Sequence, residues 1–239
     1  MRIRLACLTG LLALVCATAA AAEISAGLRD AAARIDYGWY TGDTRLILAA
    51  RDSLEASSRE PWSGYLRAYA AYRASQLLVD RGAPPGEELA RCVADAESAG
   101  ADAAVAAEAG VLIVACSAMS AAAEPLRAVW HQRRQRQGLE QVQALAPGNP
   151  RLALVRHRHL GDPAVTTDAV VAAFRSSRGR SAFPDWGEAE ALLLQSEQRL
   201  AAGDLRGARD ALDEILLLAP DFEAALELKA RVGALTAAN

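Results

Sequence analysis

The sequence predicts an all-α fold, and three observations carry that prediction. Over half of the residues are hydrophobic but only 5% are aromatic, so the apolar content is mostly Ala, Leu and Val; Ala and Leu are strong helix formers. From residue 23 onward no stretch alternates apolar and polar residues as a half-buried strand would. Pro and Gly then recur at intervals that cut the chain into helix-length pieces.

Read in order, the pieces are eleven. The first, 23–41, ends at Gly42-Asp43, a turn that opens the second, 43–57. The third and fourth are 62–80 and 86–99, and Gly100 separates the fourth from a fifth over 102–118. The segment 120–145 contains Pro125 and Gly138 and reads as a loop followed by a helix beginning near Pro125, because proline suits a first turn. A seventh helix, 150–160, carries His157, Arg158 and His159 in its last turn before Gly161, where cationic side chains favour the helix dipole. The eighth is 163–178. In the last three, 184–202, 204–218 and 221–236, Gly203 closes one helix and Asp204 caps the next. Leu205, Ala208, Leu212, Ile215 and Ala219 follow at three- and four-residue steps, and Pro220 stops that helix before Asp221 caps the last.

Residues 1–22 read as a secretory leader: Arg2 and Arg4, an apolar run from Leu5 to about Ala17, and an Ala-rich end before Glu23. The apolar run is short for a permanent membrane helix. Val15 before Cys16 argues against a lipid anchor. The expected mature domain is 23–239, with 24 basic and 29 acidic residues and a net charge of −5. Cleavage leaves Cys92 and Cys116, an even pair in a compartment that permits disulfides. With a hairpin turning at Gly100, Cys116 falls about eight residues, roughly 12 Å, past the level of Cys92, so two separate buried thiols are the favoured expectation.

Order around Gly203 gives the repeat: helix, Gly-Asp turn, helix with a small residue at its crossing point, Pro. Laid on a 34-residue frame ending at Pro220, Leu192 and Leu212 take the large positions, Ser196 the small one and Ala208 the crossing position. Three weaker traces are Gly42-Asp43, Ala109-Gly110 and the 144–150 segment Ala-Leu-Ala-Pro-Gly-Asn-Pro, and Pro147 lies 73 residues before Pro220, near two repeat lengths. This pattern resembles the tetratricopeptide repeat (TPR), clearest over 184–236; Gln195 and Arg199 depart from its usual Leu and Tyr. With the leader and Phe183-Pro184-Asp185-Trp186-Gly187, the chain is similar to exported bacterial proteins with this repeat. The resemblance implies a right-handed solenoid of four to five helix pairs, each stacking on its neighbours to bury a shared core. It also implies a final helix with Asp221, Glu223, Glu227, Lys229 and Arg231 on its outer face.

Chemistry is sparse. The single lysine, Lys229, excludes a phosphate-loop lysine and most Schiff-base mechanisms, and the acidic balance disfavours nucleic acid. There is no H-E-x-x-H, C-x-x-C, G-x-S-x-G or Ca²⁺-loop pattern. No catalytic, metal or cofactor residues are assigned, and no cofactor is expected. His157 and His159, two apart on a helix, point away from each other and read as a polar helix end. The Trp130–Gln137 stretch, with Arg133, Arg134 and Arg136, reads as a solvated face that could also attract an anionic partner or lipid headgroup. The apolar run 103–123, interrupted by Glu108, reads as a buried central helix rather than a membrane span.

Binding residues are the better expectation. Tyr65, Tyr69 and Tyr72 share a helical face, with Trp62 a turn earlier and Tyr37, Trp39 and Tyr40 in the preceding hairpin. They suit either repeat-packing core or the aromatic wall of a peptide groove, where Arg67 and Arg73 could hold a carboxylate. The repeat frame puts Glu190, Leu193, Glu197 and Leu200 on the groove side of the last repeat, which favours an amphipathic or basic peptide. The expected function is therefore a non-enzymatic periplasmic scaffold that binds a protein or peptide partner, with no nucleic acid and no membrane span after residue 22. An envelope structural subunit, an enzyme whose residues converge only in three dimensions, and a small-ligand binder are the alternatives.

Overall fold

The computed structural model describes residues 24–55, 60–178 and 183–238. The expected leader lies outside the described residues. Among them are eleven α-helices and no strand: α1 (Ala26–Tyr40), α2 (Thr44–Glu55), α3 (Pro61–Asp80), α4 (Gly86–Ala99), α5 (Ala106–Ala123), α6 (Ala128–Leu145), α7 (Pro150–Leu160), α8 (Thr167–Ser177), α9 (Glu188–Ala201), α10 (Leu205–Leu218) and α11 (Glu223–Ala238). A 3₁₀ turn, Pro125–Arg127, precedes α6, so the proline starts a tight turn and the α-helix begins three residues later.

Local chemistry sets these boundaries. Gly42 and Gly203 both adopt the left-handed region, at φ 65° and 79°, where glycine avoids the Cβ clash of other residues. The aspartate after each caps the next helix. Asp43 Oδ1 accepts from the Arg45 and Leu46 amides at 3.0 and 3.1 Å, and Asp204 Oδ1 accepts from Gly207 N at 2.8 Å. The α1–α2 and α9–α10 turns are thus the same device used twice.

Chain neighbours pack on one another except α6 and α7, which scarcely meet, and alternate helices also meet: α1 touches α3, α3 touches α5 and α5 touches α7. In the last hairpin Ser196 Oγ donates to Ala208 O at 3.1 Å, and both residues are buried, which places the small side chains where α9 and α10 cross. Gly110 and Gly138 do the same for α5 and α6. A Cβ on Gly110 would lie 2.5 Å from Val142 Cγ2, and one on Gly138 would lie 2.9 Å from Val114 Cγ2. α5 is long and apolar enough to cross a membrane by length and composition; it lies at the centre of the fold, its Ala109–Ala118 stretch buried throughout.

Two expectations need correction here. α5 begins at Ala106, not at 102, because a turn occupies residues 101–105. That turn moves the hairpin axis and brings Cys116 nearly level with Cys92. The two form a disulfide, with Cα atoms 6.4 Å apart, a separation suited to the bond. The last helix does not turn all its charges outward: Lys229 pairs with Asp213 at 2.7 Å, but Glu223 and Glu227 line a cleft against α1 and α9.

Candidate functional site

The aromatic face of α3 is filled, not open. Tyr65, Tyr69, Tyr72 and Arg73 are at most 1% exposed, which corrects the expectation that they wall a peptide groove. The physical reason is α9 and the segment before it, which lay their own inward side chains on that face. Trp186 stacks on Tyr69 with centroids 5.1 Å apart, and its Nε1 donates to the Tyr65 hydroxyl at 2.7 Å. Core packing, the plainer of the two sequence readings, is what these tyrosines do.

At the centre, residues from opposite ends of the chain form one charged network. Glu190 is fully buried and accepts from Arg73 Nη1 at 2.7 Å and Arg158 Nη1 at 2.5 Å. Arg73 Nη1 also donates to Gln76 Oε1 at 2.7 Å, and its Nε to the Tyr69 hydroxyl at 2.9 Å. Its guanidinium lies 3.8 Å above the Trp39 ring, a cation–π geometry that helps a buried cation. Burial opposes the charge on Glu190, but Arg73 and Arg158 outweigh it and hold the carboxyl down at about 2. So Arg73 holds a carboxylate, as expected of it, but that of Glu190 in this same chain. Arg67 holds Asp95 at 3.4 Å.

His159 adjoins the network, its Nε2 2.9 Å from the Tyr72 hydroxyl. Burial first, and then Arg158, pushes its pKa down to about 4. His157 faces elsewhere, with Nδ1 2.7 Å from Val165 O.

The other end of the network is Asp36 on α1, which accepts from the Tyr69 hydroxyl. Burial raises its pKa to about 7, with Tyr69 and Arg73 opposing and Asp185 reinforcing. Asp36 opens onto a cavity of about 460 Å³ lined also by Tyr37, Tyr40, Asp185, Glu188, Pro220 and Asp221. Tyr40 also lines a second cleft of about 400 Å³, with Trp39, Leu77, Asp80, Leu193, Glu197, Phe222, Glu223 and Glu227. The 219–224 segment contributes to both, and Phe222 packs against Trp39 and Tyr40 at 4.9 Å from each. The two clefts thus flank one aromatic ridge.

Their charge is mostly negative. Asp36, Asp185, Asp221, Glu197, Glu223 and Glu227 have no ion-pair partner among the described residues. Two cations also line the second cleft: Arg158 is paired with Glu190, and Arg81 donates to Thr44 Oγ1 at 2.9 Å and to Gly42 O, neutral acceptors that leave its charge in place. Of the residues expected to face a groove on α9, the structure brings Leu193 and Glu197 to this cleft, puts Glu190 in the buried network, and packs Leu200, half-buried, against the core.

Sequence reasoning gave no role to Asp36, Asp221 or Arg158 in this site. One signal was present for Asp36: it follows Ala32 and precedes Tyr40 by four residues, so the α1 stripe carries a carboxylate at its edge. No protein family, no curated protein and no solved structure matches this chain.

Proposed function

We propose that this chain is an exported, non-enzymatic scaffold of tetratricopeptide type that binds a basic, amphipathic segment of a partner protein in the periplasm. The observation that carries this reading is the pair of clefts around Tyr40 and Phe222, apolar along the ridge and bearing carboxylates without ion-pair partners among the described residues. Such a surface attracts a cationic chain and discriminates against an acidic one. Aromatic side chains beside it supply apolar contact for the segment's other face. The repeated Gly-Asp turns and the contacts between alternate helices support the repeat assignment. The Cys92–Cys116 bridge suits an oxidising compartment, in keeping with a cleaved leader. The Glu190 carboxylate and the Tyr69 and Tyr72 hydroxyls are each hydrogen-bonded within the central network, an arrangement that stabilises structure.

Calorimetric titration tests the proposal. Arg/Lys-rich amphipathic peptides should bind the full chain, and acidic peptides of equal length should not. Glu197→Gln with Glu227→Gln should weaken the basic peptide by about tenfold, about 0.7 kcal/mol for each rim charge. Equal binding of both peptide classes, or no change in the double variant, overturns it. One observation favours a small-ligand reading: a largely apolar cavity of about 570 Å³ between the ends of α3 and α5, with Arg158 and His159 in its wall. A metabolite that stabilises the chain while no peptide does would favour that reading.

A further inference from the structure

The start of α6 carries a surface that the peptide cleft does not use. Leu126, Val129 and Trp130 are 103%, 74% and 80% exposed, the three most exposed large apolar side chains in this region. Their spacing of three and four residues puts them on one side, and Arg133 and Arg136 continue that side at the next turn. Neither arginine has an ion-pair partner among the described residues. Arg127, beside Leu126, reaches Glu124 at 3.5 Å and is itself mostly exposed. From Leu126 to Leu139 the sequence has four arginines and no acid.

We infer that this patch docks the protein on an anionic phospholipid surface, with Trp130, Val129 and Leu126 entering the headgroup region and Arg127, Arg133 and Arg136 meeting lipid phosphates. Three features select lipid over a protein partner. A tryptophan flanked by arginines is the composition of an interfacial anchor. The local charge is net positive, with Glu124 the one acid beside it, on a chain whose net charge is −3, so attraction favours this side and orients the molecule. And three apolar side chains fall well short of the roughly 800 Å² per partner that a stable protein interface buries.

The test is vesicle co-sedimentation of the full chain with Trp emission as second readout. Vesicles containing phosphatidylglycerol are compared with phosphatidylcholine alone. Residues 1–22 contain no tryptophan, so emission reports on the rest of the chain even if that segment also meets lipid. Binding to the anionic vesicles, a blue shift of emission, and weakening by added salt are expected. Trp130→Ala should abolish the shift, and Arg133→Gln with Arg136→Gln should lower partitioning by about tenfold while far-UV circular dichroism is unchanged. Equal partitioning of parent and variants, or no blue shift, overturns the inference. So does concentration-dependent self-association lost in Trp130→Ala without vesicle binding, which would assign the patch to a second copy.

Discussion

Replacing Glu190 with Gln tests the network that ties α3 to α9. The substitution keeps size and one acceptor, so no cavity opens; what it removes is the charge between Arg73 and Arg158. Arg158 is about a quarter exposed and can turn toward water, whereas Arg73 is 1% exposed and cannot. The cost is therefore that of a stranded buried guanidinium, about 3–5 kcal/mol. Trp39 at 3.8 Å and the Tyr69 hydroxyl at 2.9 Å remain and should hold it near the lower figure. Arg73→Met should cost less, because Arg158 still pairs with Glu190 at 2.5 Å. The double variant Arg73→Met with Glu190→Leu should be less damaging than the sum of the singles by about 2 kcal/mol. Urea unfolding followed by circular dichroism reads this directly. With a slope of about 3 kcal/mol/M, Glu190→Gln should lower the midpoint by about 1 M. A loss under about 1 kcal/mol, or strict additivity in the double variant, would refute the argument that a charged pair closes the inner face.

Three further outcomes follow from the geometry. Cys92→Ala with Cys116→Ala should cost about 3 kcal/mol, the closure entropy of a loop spanning 24 residues, checked by denaturation with and without reductant. Gly110→Ala should destabilise by about 1–3 kcal/mol, since its Cβ would stand 2.5 Å from Val142; Gly233→Ala, which meets nothing within 4 Å, should gain up to about 1 kcal/mol of helix propensity. Asp36 gives a pH dependence. Its pKa is about 7 folded against about 3.9 unfolded, so the native state holds the extra proton between those values and loses stability as pH rises through them. Asp36→Asn lacks this loss. Its stability relative to the parent should rise from near zero below pH ~4 to about 2 kcal/mol above pH ~7, half the full linkage because Asp36 is half-buried. His159, held neutral down to about 4, contributes the opposite slope in both chains and cancels in the comparison.

Helix positions were legible because breakers and caps act locally. Gly42-Asp43, Gly203-Asp204, Asn149-Pro150 and Pro220 each stop or start a helix through their own backbone chemistry, and the helix ends at those signals fall within two residues of where the sequence puts them. The 101–105 turn was not legible, since Ala, Asp and Val at those positions give no breaker signal, and that displacement concealed the disulfide. The site was read in half. Helical spacing correctly grouped Tyr65, Tyr69 and Tyr72, but spacing within one helix cannot tell which distant segment covers it. Glu190, 117 residues after Arg73, is such a case: the repeat frame placed it on an inward face, and only the packing of α9 on α3 turns an inward face into a closed one. Leu193 and Glu197, one and two turns further along, reach the cleft, Leu193 buried at its wall and Glu197 exposed.

Photo-crosslinking from within the cleft tests the binding proposal most directly. A photoreactive residue at Glu227, in the cleft wall, is compared with one at Arg209, exposed on α10, in the cells that produce the protein. The account predicts one discrete adduct from position 227, joined to a segment rich in Arg and Lys, and none from 209. No adduct from 227, the same adducts from both positions, or an acidic segment joined at 227 would contradict it.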